Sequence, residues 1–133
     1  MFYRFVTEVP LRWIDVDSAG VINNAVYLSI MEQARYAYFS YLELLKGHHI
    51  DFVLAETSMQ FLRPGRLGMK IEAAVCTTKL GSTSFHMNYE IRARDTVLCK
   101  ATAALVYVDS DMKPCAMPDR FRQEISQFEQ MGD

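Results

Sequence analysis

The sequence has 133 residues, half of them apolar or aromatic, and a formal net charge of −2. That length suits a single domain over 1–133 with a real core, and the balance excludes the broad basic field of a nucleic-acid binder. Residues 1–10 lack the apolar core of a secretory signal, and no run of about 18 apolar residues offers a membrane span, so the expectation is a soluble, cytoplasmic protein.

In chain order, residues 8–15 (EVPLRWID) alternate: Val9, Leu11 and Trp13 share one face, Pro10 and Arg12 the other. That period predicts a strand, with Pro10 at an edge or early position. Residues 24–46 change period. Ser29, Glu32, Gln33, Tyr36, Ser40 and Glu43 recur at offsets of three and four as a narrow polar stripe on an otherwise apolar helix. Asn23 or Asn24 suits the N-cap, Gly47 suits the position after the C-cap, and the helix would span roughly 33 Å.

Beyond residue 51 the period returns to two. Residues 52–61 place Ala55, Thr57, Met59 and Phe61 on one face, and RPGRLG (63–68) reads as a hairpin-type break. Residues 69–78 offer Met69, Ile71, Ala73 and Val75 before the LGS break. Residues 84–94 set Phe85, Met87, Tyr89, Ile91 and Ala93 against His86, Asn88, Glu90, Arg92 and Arg94. After a turn at 94–96, residues 97–108 are apolar on both faces and predict a central strand. Phe121, Ile125 and Phe128 then mark a short helix behind Pro118. The order is strand, long helix, four strands, short helix. A five-stranded antiparallel sheet wrapped around one long central helix accommodates it, an α+β arrangement. One helix covers one face, so a second subunit is expected on the remaining face or edge.

Asp15 and Asp17 stand between a strand and a helix start, with Gly20 behind them. Two readings stand. The carboxylates form Asx-turns that cap backbone N–H groups. Alternatively, a helix start with unpaired N–H groups polarises a carbonyl while a carboxylate attacks it or activates water. Glu32 and Arg35, three apart, favour a structural ion pair. Lys79, Ser82, Thr83 and Ser84 flank a glycine turn and suit either a polar hairpin or phosphate contact; Arg63 and Arg66 are weaker phosphate candidates. His48, His49 and Asp51 make poor chelating geometry, so no metal and no cofactor is expected. Cys76, Cys99 and Cys115 are odd in number and lack a C-x-x-C, which argues for reduced structural thiols; no motif supports a nucleophile built from Cys76 or Cys99 with His86.

Residues 12–35, RWIDVDSAGVINNAVYLSIMEQAR, resemble the signature of hot-dog-fold acyl-CoA thioesterases of the 4-hydroxybenzoyl-CoA thioesterase type. The matching positions are Asp15, Asp17 and Gly20, then Asn23, Asn24 and Tyr27, then Glu32, Ala34 and Arg35. MQFLRPGRLG, KLGSTSF and VYVDSDMKPCAMPDRFR are similar to later family segments. Many members carry histidine where this chain has Val21. The resemblance implies hydrolysis of an acyl-CoA thioester to a free acid and coenzyme A. Asp17 would be nucleophile or general base, and a backbone N–H near Asn24 the oxyanion donor. It also makes Glu32 the substitute base, since another hot-dog subgroup uses a helix glutamate. Lys79, Ser82, Thr83, Ser84 and Arg63 are the candidate coenzyme A contacts. A homo-oligomer, dimer or dimer of dimers (a homotetramer), with sites at the subunit interface is expected. The rivals are a thioesterase for acyl carrier protein and a non-catalytic acyl-CoA-binding hot-dog module. A hot-dog dehydratase lacks its usual histidine beside Asp17.

Overall fold

The computed structural model describes residues 2–45 and 51–132. Strand β1 (Phe5–Glu8) is followed by a 3-10 turn (Trp13–Asp15), helix α1 (Val26–Tyr41), strands β2 (Phe52–Phe61), β3 (Ile71–Leu80), β4 (Ser84–Ala93) and β5 (Thr96–Tyr107), and helix α2 (Asp119–Glu129). The five strands form one antiparallel sheet in the order β1-β3-β4-β5-β2. Helix α1 packs on it.

The expected strand over 8–15 is not formed. Val9 still donates its N–H to Ile71 O (2.9 Å), but Pro10 has no N–H with which to continue the ladder. Asp15 then draws residues 12–15 into a turn by accepting the Arg12 backbone N–H at 2.8 Å. Trp13 is left 81% exposed, not on a buried strand face.

Helix α1 is 16 residues long, roughly 24 Å, shorter than the 24–46 expected. Its N-cap is Ala25, without a side-chain cap; Asn23 Oδ1, two residues earlier, accepts the Ala25 N–H. Its end is a Schellman closure: Leu44 N–H donates to Phe39 O and Glu43 N–H to Ser40 O, with Glu43 left-handed at φ 57°. Gly47 lies outside the described residues. The polar stripe does face outward, while Tyr27, Ile30, Met31, Ala34, Tyr38 and Phe39 are buried on the sheet. They meet Phe85, Met87, Tyr89 and Ile91, the face that alternation assigns to the core.

RPGRLG is not a hairpin. Strand β2 pairs with β5, and β3 lies between β1 and β4, so residues 62–70 cross the end of the sheet from one edge to its far side. The crossing passes close over the core. At Gly65 a Cβ would come within 2.5 Å of Ile22 Cδ1 and 2.9 Å of Leu98 Cδ1, so the bare backbone is needed there.

Candidate active site

Residues 15–24 form a knot of backbone bonds. Asp17 N–H donates to Val21 O, Gly20 N–H to Asp17 O, and Asn23 N–H to Asp15 O. Gly20 supplies a left-handed φ of 76°. Both carboxylates shape this turn. Asp15 is buried and accepts Arg12 Nη2 at 2.9 Å, Arg12 Nε at 3.3 Å and the Arg12 backbone N–H. The hydrogen-bonded Arg12 guanidinium holds the Asp15 carboxyl below the usual carboxylate range. Asp17 is exposed, and its Oδ1 accepts the N–H of Ala19 (2.9 Å) and of Val21 (3.2 Å).

The helix start supplies a donor. Val26 and Tyr27 N–H groups turn back to Asn23 O and Asn24 O, and Ala25 N–H is held by Asn23 Oδ1. The Asn24 N–H has no hydrogen-bond partner among the described residues. Asn24 lines a cavity of about 230 Å³ together with Tyr27, Phe61, Arg63 and Pro64. Asp17 does not line this cavity; it sits one residue step beyond it, across the Asp17–Val21 bond.

The sheet crossing is tied to this turn. Ile22 N–H donates to Gly65 O at 2.8 Å, Leu67 N–H to Gly20 O at 3.3 Å, and Val21 bridges Arg66. Arg63 and Arg66 therefore lie at the same corner as Asp17 and Asn24. Lys79, Ser82, Thr83 and Ser84 do not. They lie at the other end of strands that are ten residues, roughly 33 Å, long, where Gly81 O accepts Arg122 Nη1 and Ser82 O accepts Met117 N–H. Of this hairpin's N–H groups, that of Gly81 is spent on Ser84 O.

The expected Glu32–Arg35 ion pair is absent among the described residues. Arg35 turns inward, becomes buried, and donates from Nη1 to Tyr89 Oη at 2.9 Å; Glu32 stays exposed. Both line a groove of about 580 Å³ between α1 and β2. Burial pushes the Cys76 and Cys99 thiols up to about 11, which suppresses thiolate at neutral pH. Among the described residues no group of three or more His, Cys, Asp or Glu side chains is placed to hold a metal. His48 and His49 lie outside them.

Sequence reasoning missed several wall residues. Phe61 read only as a strand-face position and Tyr27 only as a position in the family resemblance; their rings lie 5.5 Å apart. Arg94 carried no local signal, because it meets the 62–70 crossing only in the folded sheet.

A long helix packed on a five-stranded antiparallel sheet in this strand order, with an unpaired N–H at the helix start, defines a hot-dog fold of the thioesterase kind. The chain belongs to the thioesterase-like superfamily, whose family description matches residues 11–125. It is similar to the acyl-CoA thioester hydrolase YbgC of Escherichia coli O6:H1, with 30% identity covering 92% of this chain and 96% of that protein. An acyl-acyl carrier protein thioesterase, chloroplastic, of Arabidopsis thaliana is 27% identical over 95% of this chain and 70% of its own length. Among solved structures, a thioesterase of Thermus thermophilus complexed with coenzyme A and Zn superposes with a TM-score of 0.87, at 32% identity over 98% of each chain.

Proposed function

We propose that this protein hydrolyses the thioester of an acyl-CoA at the corner between the 15–24 turn and the start of α1. The observation that carries this reading is the unpaired Asn24 N–H beside the Asp17 turn. The thioester carbonyl oxygen accepts that N–H, which, with the positive helix end behind it, stabilises the oxyanion. An Asp17 carboxylate oxygen attacks the carbonyl carbon, coenzyme A leaves as thiolate, and water opens the mixed anhydride to acid and Asp17. Alternatively, Asp17 takes the proton of a water that attacks directly, with the same products. The exposed position of Asp17 suits either role. The acyl group runs along α1 towards the groove beside β2. The functional unit is a homo-oligomer joined at the β2 edge, where Leu54 and Phe61 are exposed.

The test is thiol release from short, long and aromatic acyl-CoAs by wild type and by Asp17→Asn. The expected outcome is turnover by wild type and a loss of roughly 10²–10⁴-fold in the variant. Equal turnover would transfer the role to Glu32. The similarity to a carrier-protein thioesterase supports one second reading, with acyl carrier protein as substrate; turnover of carrier-bound acyl groups alone would select it. Coenzyme A binding without any turnover would make the protein a binding module.

A further inference from the structure

The cavity at the start of α1 is lined by one buried polar side chain that the mechanism above does not use. Its polar lining is Asn24, Tyr27 and Arg63; Asn24 and Arg63 are exposed, whereas Tyr27 is only 2% exposed. Tyr27 is the second residue of α1, and helical Cα–Cβ bonds tilt towards the N-terminus, so its side chain leans back over the helix start. Its ring lies against Phe61, with centroids 5.5 Å apart. Burial pushes the phenol up, so it keeps its proton at neutral pH, and the Gly65 N–H directed at its oxygen opposes that rise. A hydroxyl whose lone pair meets an N–H still has its own proton to donate. Among the described residues no group accepts that proton. No enclosed side-chain oxygen there is left without a partner, and the open space that Tyr27 lines is this cavity.

We propose that the Tyr27 hydroxyl is a second hydrogen-bond donor to the thioester carbonyl oxygen, beside the Asn24 N–H. The inference rests on the thioester hydrolysis proposed above and adds a catalytic residue to it. The carbonyl oxygen accepts one bond from the backbone and one from the phenol. Negative charge grows on that oxygen as the carbon becomes tetrahedral, and both donors hold it; the charge passes to sulfur when the C–S bond breaks. Tyr27 keeps its proton throughout. A fixed donor in a site that excludes water stabilises such charge without having to reorient. The cavity of about 230 Å³ is smaller than a pocket for a whole ligand and suits the reacting group alone. Gly65 ties the phenol to the turn, since its N–H meets Tyr27 and its O accepts the Ile22 N–H at 2.8 Å. The N–H received by the hydroxyl oxygen also polarises the O–H bond and strengthens it as a donor.

Tyr27→Phe keeps the ring and removes the hydroxyl. On a thioester that wild type hydrolyses, kcat is expected to fall roughly 10²–10³-fold, the cost of one oxyanion donor, while KM stays within about threefold. A second readout needs no turnover. A carbonyl that loses a hydrogen bond vibrates at higher frequency. The infrared band of a bound acyl-CoA, isotope-labelled at the thioester carbonyl, is therefore expected to rise when Tyr27→Phe is added to the Asp17→Asn variant. Hydrogen exchange tests for a purely structural role: the Ile22 amide, held by Gly65 O, should keep its protection in Tyr27→Phe. A kcat within about twofold of wild type, or a carbonyl band that does not move, would overturn the proposal. So would an Ile22 amide that loses protection in step with the rate, which would assign the hydroxyl to holding Gly65. Wild-type turnover with an unimpaired Tyr27→Phe removes this inference alone. A wild type that hydrolyses neither acyl-CoA nor carrier-bound thioesters removes the proposed activity and this inference with it.

Discussion

At the residue scale, the chemistry proposed for Asp17 is separable from its structural duty. Its Oδ1 holds the Ala19 and Val21 N–H groups, a task an amide oxygen can also perform. Asp17→Asn is therefore expected to keep the melting temperature within about 2 °C of wild type, whereas Asp17→Ala releases both donors at an exposed site and costs about 1 kcal/mol. Calorimetric melting of both variants, beside their rates, separates turn from chemistry; a large Tm drop in Asp17→Asn would make any loss of rate uninterpretable as catalysis. Asp15 is different. Its folded-state carboxyl is depressed by Arg12, so its stabilisation is complete above the unfolded value near pH 3.9 and is lost as pH falls through the lower folded one. Asp15→Asn should therefore be less stable than wild type at pH 7, by about 1–2 kcal/mol. The gap should close in denaturant melts carried out below that window, and a gap that persists there would show that Arg12 is not the cause.

At the scale of elements, α2 is held to the sheet by a polar clamp as well as by Phe121 and Ile125. Glu129 Oε2 accepts the Tyr38 hydroxyl at 2.6 Å and the Thr77 N–H at 2.8 Å, and Tyr38 Oη lies 3.0 Å from Thr77 Oγ1. Burial, and then the Glu129 carboxylate, push the Tyr38 phenol far up, so it stays a donor. Glu129→Ala leaves the Thr77 N–H unpaired at a nearly buried position and is expected to cost about 1–3 kcal/mol, a Tm drop of several degrees by circular dichroism. An unchanged Tm would assign the docking of α2 to its aromatic contacts alone, such as Phe121 stacked at 5.6 Å on Phe39. Elements with a strong period were legible in the sequence: the polar stripe of α1 and the Phe85–Ile91 alternation of β4 fall as read. What was not legible depends on partners far along the chain. The inward turn of Arg35 needs Tyr89, 54 residues away. The end of α1 rests on a left-handed glutamate whose carbonyl is bonded by Arg120, where local preference favours a glycine. Pairing of β2 with β5, not β3, cannot be seen in either strand's own pattern. At the site, the D-x-D turn and the helix start could be read locally, but the wall that Phe61, Arg63 and Pro64 add to the Asn24 cavity is assembled by the fold.

For the whole molecule, the proposed assembly turns on the β2 edge. One side of β2 pairs with β5; its other side has no strand among the described residues. Exposed Leu54 and Phe61 on that edge, with exposed Leu28 on α1, are costly to leave in water. Sedimentation equilibrium is expected to give twice the chain mass or a higher even multiple. A Leu54→Lys variant, which puts a charge at the edge, should shift the protein towards monomer, with activity falling in step. A wild-type monomer that is fully active would remove the subunit-interface site.

The crossing at residues 62–70 also fixes when the site comes into being. Strand β2 must wait for β5, whose first residue lies 35 positions after the end of β2, before its edge of the sheet exists. Until then nothing fixes the crossing over the sheet, although Gly65 must sit over Ile22 and Leu98 to anchor the turn that presents Asn24. Helix α1 draws on local contacts and forms early, while this corner depends on distant pairing and on the entropy of closing a long loop. A refolding chain is therefore expected to gain its helix before this corner, and a partly folded copy with a helical signature is expected to lack the proposed activity.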